Sequence, residues 1–220
     1  MKIIRDVDHI PKDLTGAIVT IGNFDGVHLG HQEIFKKIVR QAEETHKKSA
    51  VITFDPHPQK IMHPEKRPFF LLTPLQEKLI LIESCGVDAV ILISFSTEFA
   101  NVTADDFVES ILWKKLRLSK LFVGYDYAFG KGKAGTAQFL KESGRRLGFQ
   151  VEEIGVVETG GMIASSTNIR LSILAGNVGL AAEMLGRPYS VSGTVVKGYR
   201  RGTGMGYPTA NIRSEKVIPA

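Results

Sequence analysis

The sequence is poor in cysteine, in long apolar runs and in clustered charge, and each shortage excludes a class of protein. Its 220 residues include one cysteine, Cys85, which excludes an internal disulfide framework and indicates a reducing compartment. No uncharged apolar run is long enough to span a bilayer, and the N-terminus lacks the apolar stretch of a secretory signal. We therefore expect a cytoplasmic protein with no membrane partner.

The excess of positive charge is small. The net charge is +5, and the basic residues are dispersed rather than gathered in a stripe. Since no aromatic platform alternates with them in a strand, we expect no nucleic-acid partner. Anionic small molecules suit this charge better, and a hydrophobic content of 43% is enough for one sizeable core.

Three common nucleotide-binding signatures are also missing. The segment Gly22-Asn23-Phe24 lacks the second glycine of a dinucleotide fingerprint, and the glycine-rich loop 130–136 lacks the lysine that would end a P-loop. That loop is either simply flexible or a place where Lys131 and Lys133 screen a polyphosphate. A class I aminoacyl-tRNA synthetase is disfavoured, since the chain is short and has no Lys-Met-Ser-Lys-Ser run.

What the sequence does contain is a regular alternation of strand and helix patterns. Continuous apolar, β-branched runs predict strands covered on both faces, and amphipathic segments between them predict helices. The predicted strands are residues 17–21, 50–54, 89–94, 120–124 and 150–155. The predicted helices are residues 32–45, 74–84, 104–113, 137–147, 166–175 and 178–185. This order predicts an α/β protein with a doubly wound parallel sheet, whose ligands bind beyond the carboxyl ends of the strands.

The character of the chain changes near residue 186. From Tyr189 onward the sequence is β-like and then glycine-rich. We therefore predict two domains, over residues 1–186 and 187–220.

The turn after the first predicted strand carries the most information. It runs Gly22-Asn23-Phe24-Asp25-Gly26-Val27-His28-Leu29-Gly30-His31 into the next helix. Unpaired N–H groups and the helix dipole make such a helix start an anion site, to which two imidazoles add donors. A surface or capping histidine, or half of a zinc site, is the plainer interpretation, but zinc needs further ligands.

A second cluster opens the helix predicted at residue 166. Ser165, Ser166 and Thr167 are followed one turn later by Arg170. Alone they indicate a helix cap and a solvated arginine. Paired with the two-histidine turn they predict a second phosphate clamp, in which arginine offers a bidentate fork. The prediction requires both clusters to reach one bound triphosphate.

Two further segments follow other predicted strands. Phe54-Asp55-Pro56-His57-Pro58 is a stiff turn, and residues 123–130 place several aromatic rings and Asp126 in a loop bounded by glycines. Either is a structural loop or a wall that packs on a planar ring.

Together these motifs resemble, in order, those of the bacterial bifunctional riboflavin kinase/FMN adenylyltransferase (FAD synthetase) family. The turn at residues 22–32 resembles its HxGH motif, and Tyr207-Pro208-Thr209-Ala210-Asn211 resembles the Pro-Thr-Ala-Asn motif of its kinase domain. The resemblance implies a Rossmann-like nucleotidyltransferase fold, followed by a fragment of a second, β-barrel domain. It implies that the first domain transfers AMP from ATP to FMN, giving FAD and pyrophosphate by in-line attack.

The resemblance also implies residue roles. The residues at the ATP phosphates would be His28, His31, Ser165, Ser166 and Arg170. Further ATP contacts would come from Gly22, Asn23, Phe24, Gly30 and Thr167. The flavin side would comprise Phe54, His57, Pro58, Asp126 and Phe129. Mg²⁺ is the implied cofactor, with Asn23 and Asp126 assisting at the nucleotide or metal and no certain metal ligand in the first domain.

One departure from the family concerns the kinase domain. The chain stops soon after Thr209 and Asn211, the pair that resembles its ATP/Mg²⁺ site. We expect no riboflavin kinase activity from these residues alone, and an open β segment able to pair with another copy.

The sequence leaves two other functions open. One is an HxGH-type nucleotidyltransferase with a pantetheine- or nicotinate-type acceptor. The other is a non-catalytic flavin or nucleotide sensor.

Overall fold

The computed structural model describes residues 1–63, 69–199, 201–207, 209–214 and 216. Pro208 of the Pro-Thr-Ala-Asn motif lies outside these residues, as do several positions of the predicted second domain.

Six parallel strands form the central sheet, in the spatial order β1-β4-β3-β2-β5-β6. They are β1 Lys2–Ile4, β2 Ile18–Ile21, β3 Ser49–Asp55, β4 Ala89–Ser94, β5 Lys120–Gly124 and β6 Gln150–Ile154. The five predicted strands are confirmed to within a residue at each end. The short edge strand β1 was not predicted because only Ile4 of its three residues is buried.

Helices connect and cover the strands. They are α1 Leu29–Glu44, α2 Pro58–Met62, α3 Leu75–Ser84, α4 Thr97–Ala100, α5 Ala104–Asp106, α6 Ala137–Leu147, α7 Ser166–Leu174, α8 Val178–Leu185 and α9 Arg201–Gly204. The π-helical segment Phe107–Lys115 continues α5, and its wide turns bury Phe107, Val108, Ile111 and Leu112. None of the helices in the described part of the chain combines the length and apolar character needed to cross a bilayer.

The sheet is doubly wound, which confirms the predicted α/β class. From β2 the chain moves outward through β3 and β4, then returns to place β5 on the other side of β2. A crevice forms at the carboxyl ends of the strands where the order reverses, and ligands of such sheets bind there. The predicted two-histidine turn leaves β2 at this point.

The core lies on both faces of the sheet. Alternate residues of one strand join different clusters, so Val19 packs on one face and Ile18 on the other. A third, smaller cluster lies under α7 and α8 and includes Phe70, Leu72 and Ile169. This small core fixes the start of α7 against residues 70–72, beside the turn that follows β2.

Two antiparallel hairpins complete the fold. The first joins β7 Glu158–Thr159 to β8 Met162–Ile163 and leads directly to α7. The second joins β9 Gly193–Val196 to β10 Asn211–Ser214, in the region expected to be β-rich. Val195 and Ile212 of this second hairpin are largely exposed.

Candidate active site

The turn after β2 is built around a buried phenylalanine ring. Phe24 is 3% exposed and meets the His31 ring edge-on, with centroids 5.1 Å apart. A Cβ on Gly22 would lie 2.9 Å from the Phe24 ring, so only glycine fits there. The Phe24 ring therefore supports His31 from behind.

The two histidines lie at the N-terminus of α1, as predicted. His28 is the N-cap residue, and its ring stacks on that of His31 with centroids 3.5 Å apart. Burial lowers the pKa of His28 to about 4 and the pKa of His31 well below its ordinary value. Both imidazoles are therefore neutral near pH 7. Neither buried Nδ1 atom has a hydrogen-bond partner among the residues described.

Gly30 lets the two rings approach each other. A Cβ at this position would lie 3.2 Å from two atoms of the His28 ring and 3.4 Å from the Ala164 carbonyl oxygen. The start of α1 is thus packed against the residue that precedes the Ser165 cluster.

Asp25, which the sequence analysis did not single out, is the centre of the site. It is 3% exposed, and its carboxylate accepts hydrogen bonds from Leu72 N at 3.1 Å and Thr73 N at 3.0 Å. The Thr73 hydroxyl donates to Asp25 at 3.3 Å and accepts from Gly26 N at 3.0 Å. Asp25 also forms a buried ion pair with Arg170.

Arg170 is held by protein oxygens on three sides. Its Nε donates to Phe70 O at 2.9 Å, its Nη1 to Ser166 O at 3.2 Å, and its Nη2 to Asp25. The guanidinium also lies 4.6 Å from the centre of the Phe69 ring. Burial lowers the pKa of Arg170, although the neighbouring Asp25 carboxylate opposes that shift. The guanidinium is thus fixed in place before any ligand arrives.

The start of α7 reaches the turn after β2. Ser165 is the N-cap, with its hydroxyl accepting from Asn168 N at 3.2 Å, while the Ser166 hydroxyl donates to Asp25 O at 2.8 Å. Thr167 is exposed. The two clusters predicted to meet at one triphosphate are therefore in direct contact.

The residues predicted on the flavin side form a wall beside this centre. His57 is the N-cap of α2, whose first residue is Pro58, and its Nδ1 accepts from Gln59 N at 3.2 Å. Burial lowers the pKa of His57 to about 4. A small cavity is lined by Phe54 and His57 together with Asp25, Asp55, Leu71, Thr73, Leu75 and Lys78.

The loop after β5 is held in an ordered conformation. Phe129 pairs with Gly135 through two backbone hydrogen bonds of 3.0 and 2.9 Å, and its ring stacks on Tyr127. Ring contacts run from Phe54 through Phe99 and Phe107 to Phe129. Asp126 is exposed at the carboxyl end of β5.

Lys78 is a second residue that the sequence analysis missed. It is 5% exposed, borders the cavity, and donates to oxygens of the β2 turn and the end of β3. Burial lowers its pKa to about 8.

The two residues predicted at a kinase ATP/Mg²⁺ site, Thr209 and Asn211, are exposed at the second hairpin. No contact among the described residues joins them to Asp25.

Within the described residues, no group of three or more histidine, cysteine, aspartate or glutamate side chains is arranged to hold a metal ion. The zinc interpretation of His28 and His31 therefore has no further ligands in this part of the chain.

Two family models match the chain. The FAD synthetase model matches residues 10–168, and the riboflavin kinase model matches residues 185–220. Bifunctional riboflavin kinase/FMN adenylyltransferases of Buchnera aphidicola and Escherichia coli K12 are each 37% identical. The matches cover 100% and 99% of this chain and 70% of each relative.

A solved structure from Streptococcus pneumoniae, described as a macrolide-efflux protein, has the same fold. It superposes with a TM-score of 0.83 at 33% identity, over 97% of this chain and 68% of that one. The family match spans the turn, the wall and the start of α7. The chain belongs to the FAD synthetase family.

Proposed function

We propose that this chain is an FMN adenylyltransferase, which transfers AMP from ATP to FMN and releases pyrophosphate. The observation that carries this proposal is the contact between the starts of α1 and α7 across Asp25, at the crevice of a doubly wound sheet. Two helix N-termini directed at one place form a site for a polyanion. The names of the relatives supply the acceptor, FMN.

The ATP phosphates bind between the two helix starts. The neutral imidazoles of His28 and His31 each carry one N–H, and these donate to phosphate oxygens as negative charge builds in the transition state. The hydroxyls of Ser165 and Thr167, the backbone N–H of Ser166 and the guanidinium of Arg170 supply donors from the other side. Since Arg170 has three of its five N–H groups engaged with protein oxygens, two remain for phosphate.

The chemical step is an in-line displacement at the α-phosphorus of ATP. A phosphate oxygen of FMN forms the new P–O bond, and the bond from the α-phosphorus to the bridging oxygen of the β-phosphate breaks. Pyrophosphate leaves with that electron pair. The attacking phosphate is already anionic, so the protein provides positioning and charge stabilisation rather than a covalent intermediate.

The flavin binds on the side of Phe54, His57 and Pro58, with Phe129 at the far end of the aromatic run. The cavity beside Phe54 and His57 is also lined by Asp25, which supports an acceptor site next to the phosphate site. A neutral His57 suits this wall, because a charged imidazole would be costly next to an apolar ring.

Mg²⁺ fits this site as an ion that arrives with ATP. The described residues offer no cluster of three carboxylate or imidazole ligands, and Mg²⁺ commonly binds substrate phosphates with one or two protein oxygens and several waters. Asn23 and Asp126 would be those protein contacts. When bound, the ion neutralises charge on the phosphate oxygens.

The domain division at residue 186 and pairing of the second hairpin with another copy are also proposals. Gly186 ends α8 with a left-handed φ of 68°, where a boundary is expected. Exposure of Val195 and Ile212 supports self-association through the hairpin.

The direct test is incubation of the purified chain with ATP, Mg²⁺ and either FMN or riboflavin, followed by chromatography of the flavins. We expect FAD from FMN, and the riboflavin arm reports any kinase activity separately. His28→Ala and His31→Ala should lower kcat far more than they raise the KM for FMN, because their contacts strengthen in the transition state. His46→Asn, at an exposed position with a φ of 52°, is the matched control.

If the chain forms no FAD but transfers AMP to a pantetheine- or nicotinate-type acceptor, that acceptor takes the place of FMN in the proposed function. Tight FMN binding without any turnover would instead indicate a sensor. Full turnover in both histidine variants would refute the assigned phosphate clamp.

A further inference from the structure

Lys78 is a charged side chain on the buried face of a helix. It lies in α3 beside buried Leu79 and Ile82, and only 5% of it is exposed. Lysine is seldom buried this completely without partners, since its ammonium loses its water. The environment of Lys78 must therefore replace that water with oxygen atoms of the protein.

Three oxygens do so. Lys78 Nζ donates to Asn23 O at 3.2 Å, to Thr53 Oγ1 at 3.1 Å and to Phe54 O at 3.4 Å. An ammonium has three N–H donors, so this set uses all of them. A neutral amine would have two donors and would leave a lone pair facing an acceptor.

These oxygens lie where the backbone hydrogen bonding between β2 and β3 ends. The last backbone hydrogen bond between the two neighbouring strands joins Gly22 N to Ile52 O at 3.1 Å. Beyond it the chain after β2 turns away, while β3 continues to Asp55. Lys78 bridges the two segments just past this point, through Asn23 on one side and Phe54 on the other.

Burial lowers the pKa of Lys78 to about 8, and two neighbouring carboxylates oppose that shift. The carboxylates of Asp25, in the turn, and Asp55, at the end of β3, favour the charged form. Burial is the main reason that the pKa values of His31 and His57 are lowered, and the Lys78 charge lowers both further. Near pH 7 Lys78 is therefore a cation, as are Arg170 and Arg187 nearby.

We infer that Lys78 is a positioning residue for adenylyl transfer, because its ammonium ties the phosphate-binding turn to the strand end that carries the flavin wall. This inference rests on the proposed function. Asn23 precedes the turn residues that hold Arg170 and the imidazoles, and Phe54 lines the acceptor cavity. Lys78 thereby sets the distance between the two substrates, and a shift of about 1 Å in such a distance costs on the order of 100-fold in rate.

Lys78→Met tests this inference, since methionine keeps much of the length and removes every donor. We expect kcat to fall about 100-fold, with the KM values for ATP and FMN changed less than about threefold. Lys78→Arg, which keeps charge and donors, should recover at least tenfold of that loss. Lys37→Met, an exposed lysine of α1, is the matched control and should retain its activity.

Amide hydrogen exchange provides a readout that does not depend on activity. In Lys78→Met the amides of residues 22–26 should exchange faster than in the parent, while those at the centre of β4 should not. If the parent forms no FAD, the proposed function fails, and faster exchange still supports the bridge. If the methionine variant does not fold, Lys78→Gln, with two N–H donors, takes its place under the same criteria.

Three results would overturn the inference. One is a kcat for Lys78→Met within threefold of the parent. Another is an equal loss in the methionine and arginine variants, which indicates a packing role. The last is unchanged exchange at residues 22–26.

Discussion

Replacing Asp25 by asparagine should destabilise the fold more than the loss of any surface charge. The change breaks a buried ion pair and leaves the Arg170 charge without its partner. The Asp25 and Arg170 side chains are 3% and 15% exposed. One carboxylate oxygen accepts from Thr73 N and its hydroxyl, and the other from Leu72 N and Arg170. Asparagine keeps one of these oxygens and turns an amide N–H₂ toward donors at the other.

The expected loss follows from these contacts. Removing one partner of a buried ion pair typically costs about 3–5 kcal/mol, since the remaining charge is left unpaired. A domain has a total stability of roughly 5–15 kcal/mol, so the loss is a large share. Urea unfolding at pH 7, followed by circular dichroism, measures it.

The control is Asp13→Asn. Asp13 pairs with Lys2 at 2.6 Å, but the two side chains are 46% and 61% exposed, so the change should cost little stability. A double variant, Asp25→Asn with Arg170→Met, should lose less than the sum of the single losses, because no unpaired charge remains. Equal destabilisation by Asp25→Asn and Asp13→Asn, or strict additivity in the double variant, would refute this reasoning.

Three further predictions concern the histidines, Gly30 and the second hairpin. The pKa of His28 is lowered from 6.5 to about 4. Between these two pH values the unfolded chain binds a proton that the folded chain does not. Lowering the pH through this range should therefore remove about 3 kcal/mol of stability through His28. Urea unfolding at pH 7 and pH 4.5 should show a weaker pH dependence in His28→Gln, and an unchanged one would contradict the assignment. Gly30→Ala should lower kcat at least tenfold, because the added Cβ presses on the His28 ring. Gly179→Ala should leave kcat unchanged, because a Cβ there lies 3.9 Å from the nearest atom. Equal kcat values in both variants would count against the tight packing at Gly30. Analytical ultracentrifugation should detect self-association that Ile212→Lys weakens, and a concentration-independent monomer would exclude it.

The strands and the position of the site follow directly from sequence. Strands buried on both faces appear as unbroken apolar runs, so β3 and β4 are recognisable without their neighbours. The strand–turn–helix pattern at residues 20–31 likewise places His28 at the start of α1. These predictions succeed because their signals are local.

The missed residues depend on distant partners. Asp25 and Arg170 are 145 positions apart, and no local spacing indicates that they meet. Lys78 follows Gln76 and Glu77 in the chain, a polar run that is typical of an exposed helix face. The resemblance implies an ATP contact at Phe24, and no sequence signal indicates that its ring is buried behind His31.

The long separation between Asp25 and Arg170 also constrains how the protein is made. Translation proceeds at about 5–20 residues per second, so the arginine is added roughly 7–30 seconds after the aspartate that it neutralises, over 145 positions. Until then the nascent chain holds this carboxylate without its ion-pair partner. The nucleotide site therefore closes only after every strand of the central sheet has left the peptidyl-transferase centre.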